Sequence, residues 1–395
     1  MHKVCFVLIF CLAVLTAGCA LGESANPPAA GWSISIEKLN SSALLVTASS
    51  PSAKQFIIGD DFSNARRYIE VIHSDGKINE SASSVTGYGS RIAYLAHFPI
   101  GWSPKNPYGV LSDSFGVVPA SFLFPRSEEQ QEWYRLDFFG MGMDVHNSGF
   151  GDGEEYVLPK DELFETHFVF GLFQRECSFS VGNVGFNIIS GGGKRINDSV
   201  CENIRKIAKY YQEEFGLPEQ ILPSYEIGFF PARSYSSLHS GIYYPEVDYE
   251  WLAHEMFHLW EPEDKCRGSK LQEEMPASYM QVHAQYEAGI IDRMTRDNLF
   301  EQKRLQLAAL PKEWLSLPDG ELVELRKRNA SAYSTLVYSR GALMGEMMEE
   351  RGNSPVDLFR HYLKERRCSV LFSLADEYGK KLVDRMASGA ANGET

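Results

Sequence analysis

His254, Glu255, Met256, Phe257 and His258 form an HExxH pentapeptide within an apolar stretch. On an α-helix, residues four apart share one face, so both imidazoles can reach a single metal ion. Zinc takes imidazole nitrogen at about 2.0–2.1 Å. Glu255 stands beside the two histidines rather than among them, where a carboxylate can take a proton from a metal-bound water. The chemistry this spacing predicts is metal-assisted hydrolysis. The plainer alternative is two hydrogen-bonded histidines on a buried helix.

Catalytic zinc usually has three protein ligands and one water. One known solution places Gly and His three and six residues after the second histidine. Those places hold Glu261 and Asp264, which excludes it. The other solution takes a glutamate from the following helix. Glu273 and Glu274 are the candidates, then more remotely His283 and Glu287.

The elements that must position these groups are legible in part. Asp248 is suited to cap the HExxH helix, Glu250 favours its first turn, and Pro262 stops it after about three turns. Trp251, Leu252, Phe257, Leu259 and Trp260 supply apolar surface for burial. Upstream, Trp32 to Val157 reads as strands, among them Ser33–Ile36, Ala43–Ala48, Tyr68–Ile72 and Arg91–Phe98, with no helix of note. Thr166–Phe173 and Phe179–Ile189 continue the pattern. Asp198–Phe215 then carries the 3.6-residue stripe Val200, Ile204, Ile207, Ala208 and Tyr211, and Gly216-Leu217-Pro218 ends it. Strands are expected at Tyr225–Phe230 and Gly241–Tyr244. Beyond the HExxH helix the chain is mostly helical, over about 275–288, 295–309, 320–328, 339–351, 355–365 and 371–386. Gly191-Gly192-Gly193-Lys194 lacks phosphate-loop spacing and reads as a hairpin turn.

Residues 1–18 read as a signal segment, with Lys3 before an apolar run from Val4 to Leu15. Thr16-Ala17-Gly18-Cys19 resembles a bacterial lipobox, with Thr where Leu is usual. This implies export to the cell envelope and a lipid on Cys19 that ties the chain to a membrane; the plainer alternative is an ordinary secretory signal cleaved nearby, and either way the protein is expected to leave the cytoplasm. Residues 19–31 form a flexible tether. The formal charge of −14 becomes −15 once Lys3 is lost, and a surface that acidic argues against nucleic-acid partners. Cys177, Cys201, Cys266 and Cys368 have no metal-site spacing; in an oxidising compartment they allow three disulfide connectivities.

Several segments carry a resemblance to one family. His254–Trp260 reads HEMFHLW and resembles the HExFHLW of the M61, glycyl aminopeptidase-like metallopeptidases. Glu274-Met275-Pro276-Ala277-Ser278-Tyr279 is similar to the EGxxSY segment of gluzincin aminopeptidases. Lys160-Asp161-Glu162-Leu163 resembles the family's YDEL, Phe215-Gly216-Leu217-Pro218 its FG-x-P, and Tyr338-Ser339-Arg340-Gly341-Ala342-Leu343 its YxKGAL. Tyr333 lies where related enzymes place a second aromatic. These matches run in family order from 161 to 386.

The resemblance implies an α+β protein. An N-terminal β-sandwich-like domain over 32–160 would precede a thermolysin-like gluzincin domain over 161–386, which has a mixed sheet and a mostly helical C-terminal lobe; a disordered tail follows over 387–395. It further implies one catalytic zinc on His254, His258 and Glu274, with Glu255 as general base and Tyr338 stabilising the oxyanion of a peptide substrate.

Two departures matter. Pro276 fits best in a first helical turn, which predicts a helix starting beside Glu274 and a carboxylate at the positive end of its dipole. The family's upstream GGLEH-type strand falls at Ser236–Gly241 and has no carboxylate to hold a free amino group. Endopeptidase action therefore stands beside aminopeptidase action, with an edge strand still able to pair with a peptide. His239 is a candidate substrate contact, and Ser278 a candidate partner for a ligand histidine. The alternative from another class is an inert surface-binding lipoprotein on a peptidase-like scaffold.

Overall fold

The computed structural model describes residues 31–59, 68–81, 84–98, 110–128, 132–191, 193–218, 224–230, 236–238, 240–261, 270–317, 319–365 and 368–387. The signal segment, Cys19, all but the end of its tether, His239, Pro262, Cys266 and the tail beyond 387 lie outside them.

Alternating burial along Trp32–Asn40 and its neighbours builds the first sheet. Its strands run in the order Glu155–Pro159, Trp133–Phe139, Trp32–Asn40, Ala43–Ile58, Val85–His97 and Ile69–Ser74, with Lys77–Glu80 and Arg126–Ser127 as short additions. The first and fourth of these neighbouring pairs, and all others except one, are antiparallel; Trp32–Asn40 lies parallel to Trp133–Phe139. The second sheet orders Gly151–Asp152, Val145–Asn147, His167–Gly171, Phe115–Pro119 and Val110–Leu111. Phe138 of the first sheet meets Phe168 of the second at 4.9 Å between ring centroids, inside one shared core. This is the β-sandwich-like arrangement expected, and its second sheet extends to Gly171.

The third sheet is mixed, as expected. It orders Phe173–Val181, Val184–Gly191, Ser224–Phe229, Gly241–Tyr244 and Ser236–Leu238, the middle pairs parallel and the outer pairs antiparallel. The single strand expected at 179–189 is in fact a hairpin, because Gly182 (φ 61°) reverses the chain. At the end of strand Val184–Gly191 the Lys194 N–H donates to the Gly191 carbonyl at 3.2 Å, but the chain goes on to a helix and not into the hairpin expected there. Parallel pairing of that strand with Ser224–Phe229 requires such a crossover. That helix, α1 (Asp198–Phe215), is capped by the Asn197 side chain accepting from the Val200 N–H and ends at Gly216 (φ 83°). Cys201 of α1 is bridged to Cys177 of the sheet, one of the pairings the sequence left open.

The helical remainder comprises α2 (Tyr249–Phe257), α3 (Lys270–Glu287), α4 (Arg293–Ala308), α5 (Asp319–Arg328), α6 (Ala330–Ser334), α7 (Arg340–Glu350), α8 (Pro355–Glu365) and α9 (Cys368–Ala387). Most of their buried apolar residues join the third sheet in one core. Among the described residues no helix is long and apolar enough to cross a membrane.

A buried ionic contact joins the second and third sheets. His146 Nε2 lies 2.5 Å from Glu226 Oε2, and its Nδ1 lies 2.7 Å from Asp152 Oδ1. Tyr243 donates to the other Glu226 oxygen, and Arg175 pairs with Asp152. Burial alone would lower the His146 pKa; hydrogen bonds and charge from Glu226 and then Asp152 outweigh it and raise it. A His whose folded pKa is raised contributes stability that is complete below its unfolded value of about 6.5 and lost as pH rises through the folded value. The melting-temperature gap between the wild type and His146→Gln is therefore expected to be widest at about pH 6 and to narrow toward about pH 9. A gap that stays constant over that range would contradict this.

Candidate metal centre

Asp248 caps α2 as expected, its Oδ1 accepting from the N–H groups of Glu250 (3.0 Å) and Trp251 (3.2 Å). The helix is held from behind by Tyr211 of α1, whose hydroxyl donates to the Ala253 carbonyl at 2.8 Å. After Phe257 the backbone tightens into a 3₁₀ turn over His258–Trp260, so His258 stands at the junction. Trp260 donates its indole N–H to the Gly216 carbonyl, tying the end of this turn to the end of α1.

Across from α2, α3 presents Glu274. His254 Nε2 and His258 Nε2 are 3.3 Å apart. Glu274 Oε2 lies 3.2 Å from the first and 3.6 Å from the second. Three ligands about 2.0–2.2 Å from one zinc in a tetrahedron stand roughly 3.3–3.6 Å from each other. The triangle therefore fits a single ion, and among the described residues it is the one group of three such ligands. Of the other candidates, His283 turns away into the core, where it meets the Tyr279 hydroxyl at 2.9 Å, and Glu287 is exposed. Burial outweighs the nearby Glu349 and lowers the His283 pKa to about 4. The Glu273 side chain lies outside the described part of the chain.

Burial would push the Glu274 carboxyl toward its neutral form, but hydrogen bonds from His254 and His258, and then their charge, hold it well below the usual carboxylate range. The helix dipole is not the cause. The expectation that α3 starts beside Glu274 is wrong: α3 begins by Lys270, and Pro276 lies inside it. Interior proline forfeits a hydrogen bond at a cost of about 3 kcal/mol. Complete burial of Met275, Ala277, Tyr279 and Met280 on the same helix is what offsets it.

One residue of the site escaped the sequence reading. Glu261 Oε2 lies 2.5 Å from His258 Nδ1, and the Glu261 side chain is almost fully buried. A carboxylate there holds a proton on Nδ1 and fixes the ring with Nε2 toward Glu274, the kind of second support common beside metal-ligating histidines. Its signal was present: a Glu three residues beyond a ligand histidine, within one helical turn. Ser278, by contrast, packs its buried side chain against Gly341, and its hydroxyl has no partner among the described residues.

Tyr338 lies two residues before α7. It sits in a π-helical turn, Thr335–Ser339, between α6 and α7. Its ring lies edge-on to that of His254 (5.1 Å) and to Trp251 (5.2 Å). Burial first, and then the negative charges of Glu274 and Glu255, raise its pKa, so the phenol stays protonated and able to donate. The same Glu255 charge reaches the buried Tyr244, at the end of a strand of the third sheet. Glu255 itself is partly open to solvent. Tyr333 is buried, with the Arg326 guanidinium 5.6 Å from its ring centre. Ser236–Leu238 is an edge strand, as expected.

The architecture is α+β: an N-terminal β part is followed by a mixed sheet and a helical C-terminal part. No protein-family model and no curated protein sequence matches the chain. Solved structures do. An aminopeptidase N family protein from Idiomarina loihiensis superposes with a TM-score of 0.63 at 14% identity, covering 89% of this chain and 70% of that one. A mutant M1 zinc metallopeptidase from Deinococcus radiodurans bound to a Tyr-Ser-Ala substrate gives a TM-score of 0.57 at 12% identity, covering 90% and 92%. A two-domain M1 zinc metallopeptidase mutant bound to L-tryptophan gives 0.57 at 12%, covering 92% and 94%.

The Glu261 contact yields a test by zinc titration against a competing chelator. Glu261→Ala is expected to weaken zinc affinity by about 10–100-fold while the fold melts cooperatively. Affinity equal to the wild type would remove Glu261 from the site.

Proposed function

We propose that this chain is a zinc-dependent peptidase. The observation that carries the reading is the convergence of His254 Nε2, His258 Nε2 and Glu274 Oε2 at tetrahedral-edge spacing, beside a protonated Tyr338. In this reading those three residues hold the ion. A zinc bound there would act as a Lewis acid, lowering the pKa of a coordinated water toward about 7 and polarising the scissile carbonyl.

The chain's own groups do the rest. Glu255 takes the proton of the attacking water and passes it to the leaving amine. Tyr338 donates a hydrogen bond to the oxygen on which negative charge develops. Glu261 keeps His258 in the ligating tautomer, and the Trp251 and Tyr338 rings shield His254 from water. Related structures that hold single amino acids or Tyr-Ser-Ala support a peptide as the substrate class.

The finer assignments rest on sequence segments. HEMFHLW, KDEL and the YSRGAL stretch favour the M61 branch of the gluzincins, and Thr16–Cys19 favours an exported, lipid-anchored protein. The edge strand Ser236–Leu238 carries no carboxylate, which favours internal cleavage over removal of N-terminal residues. An inert binding scaffold is disfavoured by a complete set of ligands, base and phenol.

Glu255→Gln is expected to bind zinc like the wild type and to lose peptide hydrolysis, measured by metal analysis and by mass spectrometry of a peptide-library digest. Tyr338→Phe should keep zinc and lose about 10²–10³ in kcat. Glu274→Gln should lose zinc affinity. Full hydrolysis by Glu255→Gln would sink the mechanism.

A further inference from the structure

The two histidines of the ligand triangle are held by different means. His258 has the Glu261 carboxylate at its Nδ1. The His254 Nδ1 is buried and has no hydrogen-bond partner among the described residues. Outer hydrogen bonds usually fix the orientation of a ligating imidazole. Where none does, packing must stop the ring from turning about its side-chain bonds.

The packing around His254 is aromatic. Trp251 precedes it by three residues, one turn back along the same face of α2. Its ring meets the imidazole at 5.4 Å between centroids and 70° between planes. Tyr338 meets the same imidazole at 5.1 Å and 81°, and meets Trp251 at 5.2 Å and 81°. The three rings therefore form a closed set of edge-to-face contacts, each within the separation such pairs favour. Trp251 is the member of the set that is fixed from its own helix. Its backbone N–H donates to the capping Asp248 at 3.2 Å, and Tyr211 holds the next turn through the Ala253 carbonyl. Tyr338 comes from a different part of the chain, the π-helical turn. Beyond Trp251 and Tyr338 lies a polar cleft of about 320 Å³ that both rings line. Without the indole, the imidazole and the phenol would each have room to turn toward it.

We propose that Trp251 is a positioning residue, whose indole holds the His254 ring in its ligating orientation and the Tyr338 phenol against it. The proposal rests on the peptidase reading above and adds what fixes ligand and oxyanion donor relative to each other. Trp251 performs no chemistry itself; it acts through His254 and Tyr338.

The test uses the full chain, with zinc affinity from chelator competition and kcat and KM on one peptide of the wild-type digest. Trp251→Leu is expected to weaken zinc binding by about tenfold. At saturating zinc it should lower kcat by about ten- to a hundredfold with KM little changed. Trp251→Phe keeps an aromatic ring and should recover most of both. A double variant separates positioning from general packing. Tyr338→Phe already lacks the hydroxyl that Trp251 places, so adding Trp251→Leu to it should lower kcat by only about threefold or less. Melting temperatures of the zinc-free chains are measured alongside; if Trp251→Leu does not fold, Trp251→Met replaces it with the same expectations. Zinc affinity and kcat equal to the wild type, or kcat losses that multiply in the double variant, overturn the proposal and leave the peptidase reading standing. If the wild type hydrolyses no peptide, that reading falls, and zinc affinity alone decides on Trp251: an unchanged value in Trp251→Leu overturns its role.

Discussion

A carboxylate can be buried against two imidazoles only if the imidazoles give back what water did. Glu274 depends on that exchange: burial pushes its proton on, while His254 and His258 pull it off. The balance holds at separations of 3.2 and 3.6 Å, so the placement of α3 against α2 must be good to a fraction of an ångström. Much of the surrounding packing serves this. Tyr211 fixes α2 through the Ala253 carbonyl, and Glu261 fixes the His258 ring. On the other side, α3 is approached by α7 so closely that a Cβ on Gly341 would stand 3.1 Å from Met275 Cα, and one on Gly345 would enter the Tyr279 ring.

That close approach also sets the phenol. Gly341 follows Tyr338 by three residues, about one turn along the same chain segment, so seating Gly341 on Met275 and Ser278 fixes how far Tyr338 can lean toward Glu274. The π-helical turn is the adjustment that reconciles two demands. Helices α6 and α7 must run on as one packed rod, yet Tyr338 must face His254 and Trp251. A wider turn admits one extra residue and rotates the side chains that follow; such turns recur at functional sites.

What could be read from the sequence follows from the range of the interaction concerned. The i,i+4 histidines, the Asp248 cap and the stripe of α1 are set by local geometry, and each is found where spacing placed it. Glu274 was singled out by resemblance, because choosing it over Glu273 requires knowing how α3 faces α2. Pro276 misled for the same reason: its local preference is overridden by burial that only the packed helix pair creates. The turn after Gly191 was misread because parallel pairing with Ser224–Phe229 is not visible in either strand alone. The Cys177–Cys201 bridge likewise depends on where α1 crosses the sheet. Glu261 was readable in principle, yet it drew attention only as the residue that ruled out another ligand pattern.

The N-terminal half belongs in the same account. Its second sheet reaches the third through the buried His146–Glu226 contact and through an apolar patch in which Phe115 stacks on Phe230. Glu226 sits on a central strand, opposite Gly241 in the parallel ladder, and a Cβ at Gly241 would fall 2.4 Å from the Glu226 carbonyl oxygen. The strand that starts at Gly241 leads within a few residues to Asp248 and α2. The β domain thus grips Glu226, on the strand beside the one that leads into the helix carrying His254. The two cores meet at the sheet that aims α2, which makes the β domain part of the support for the ligand triangle.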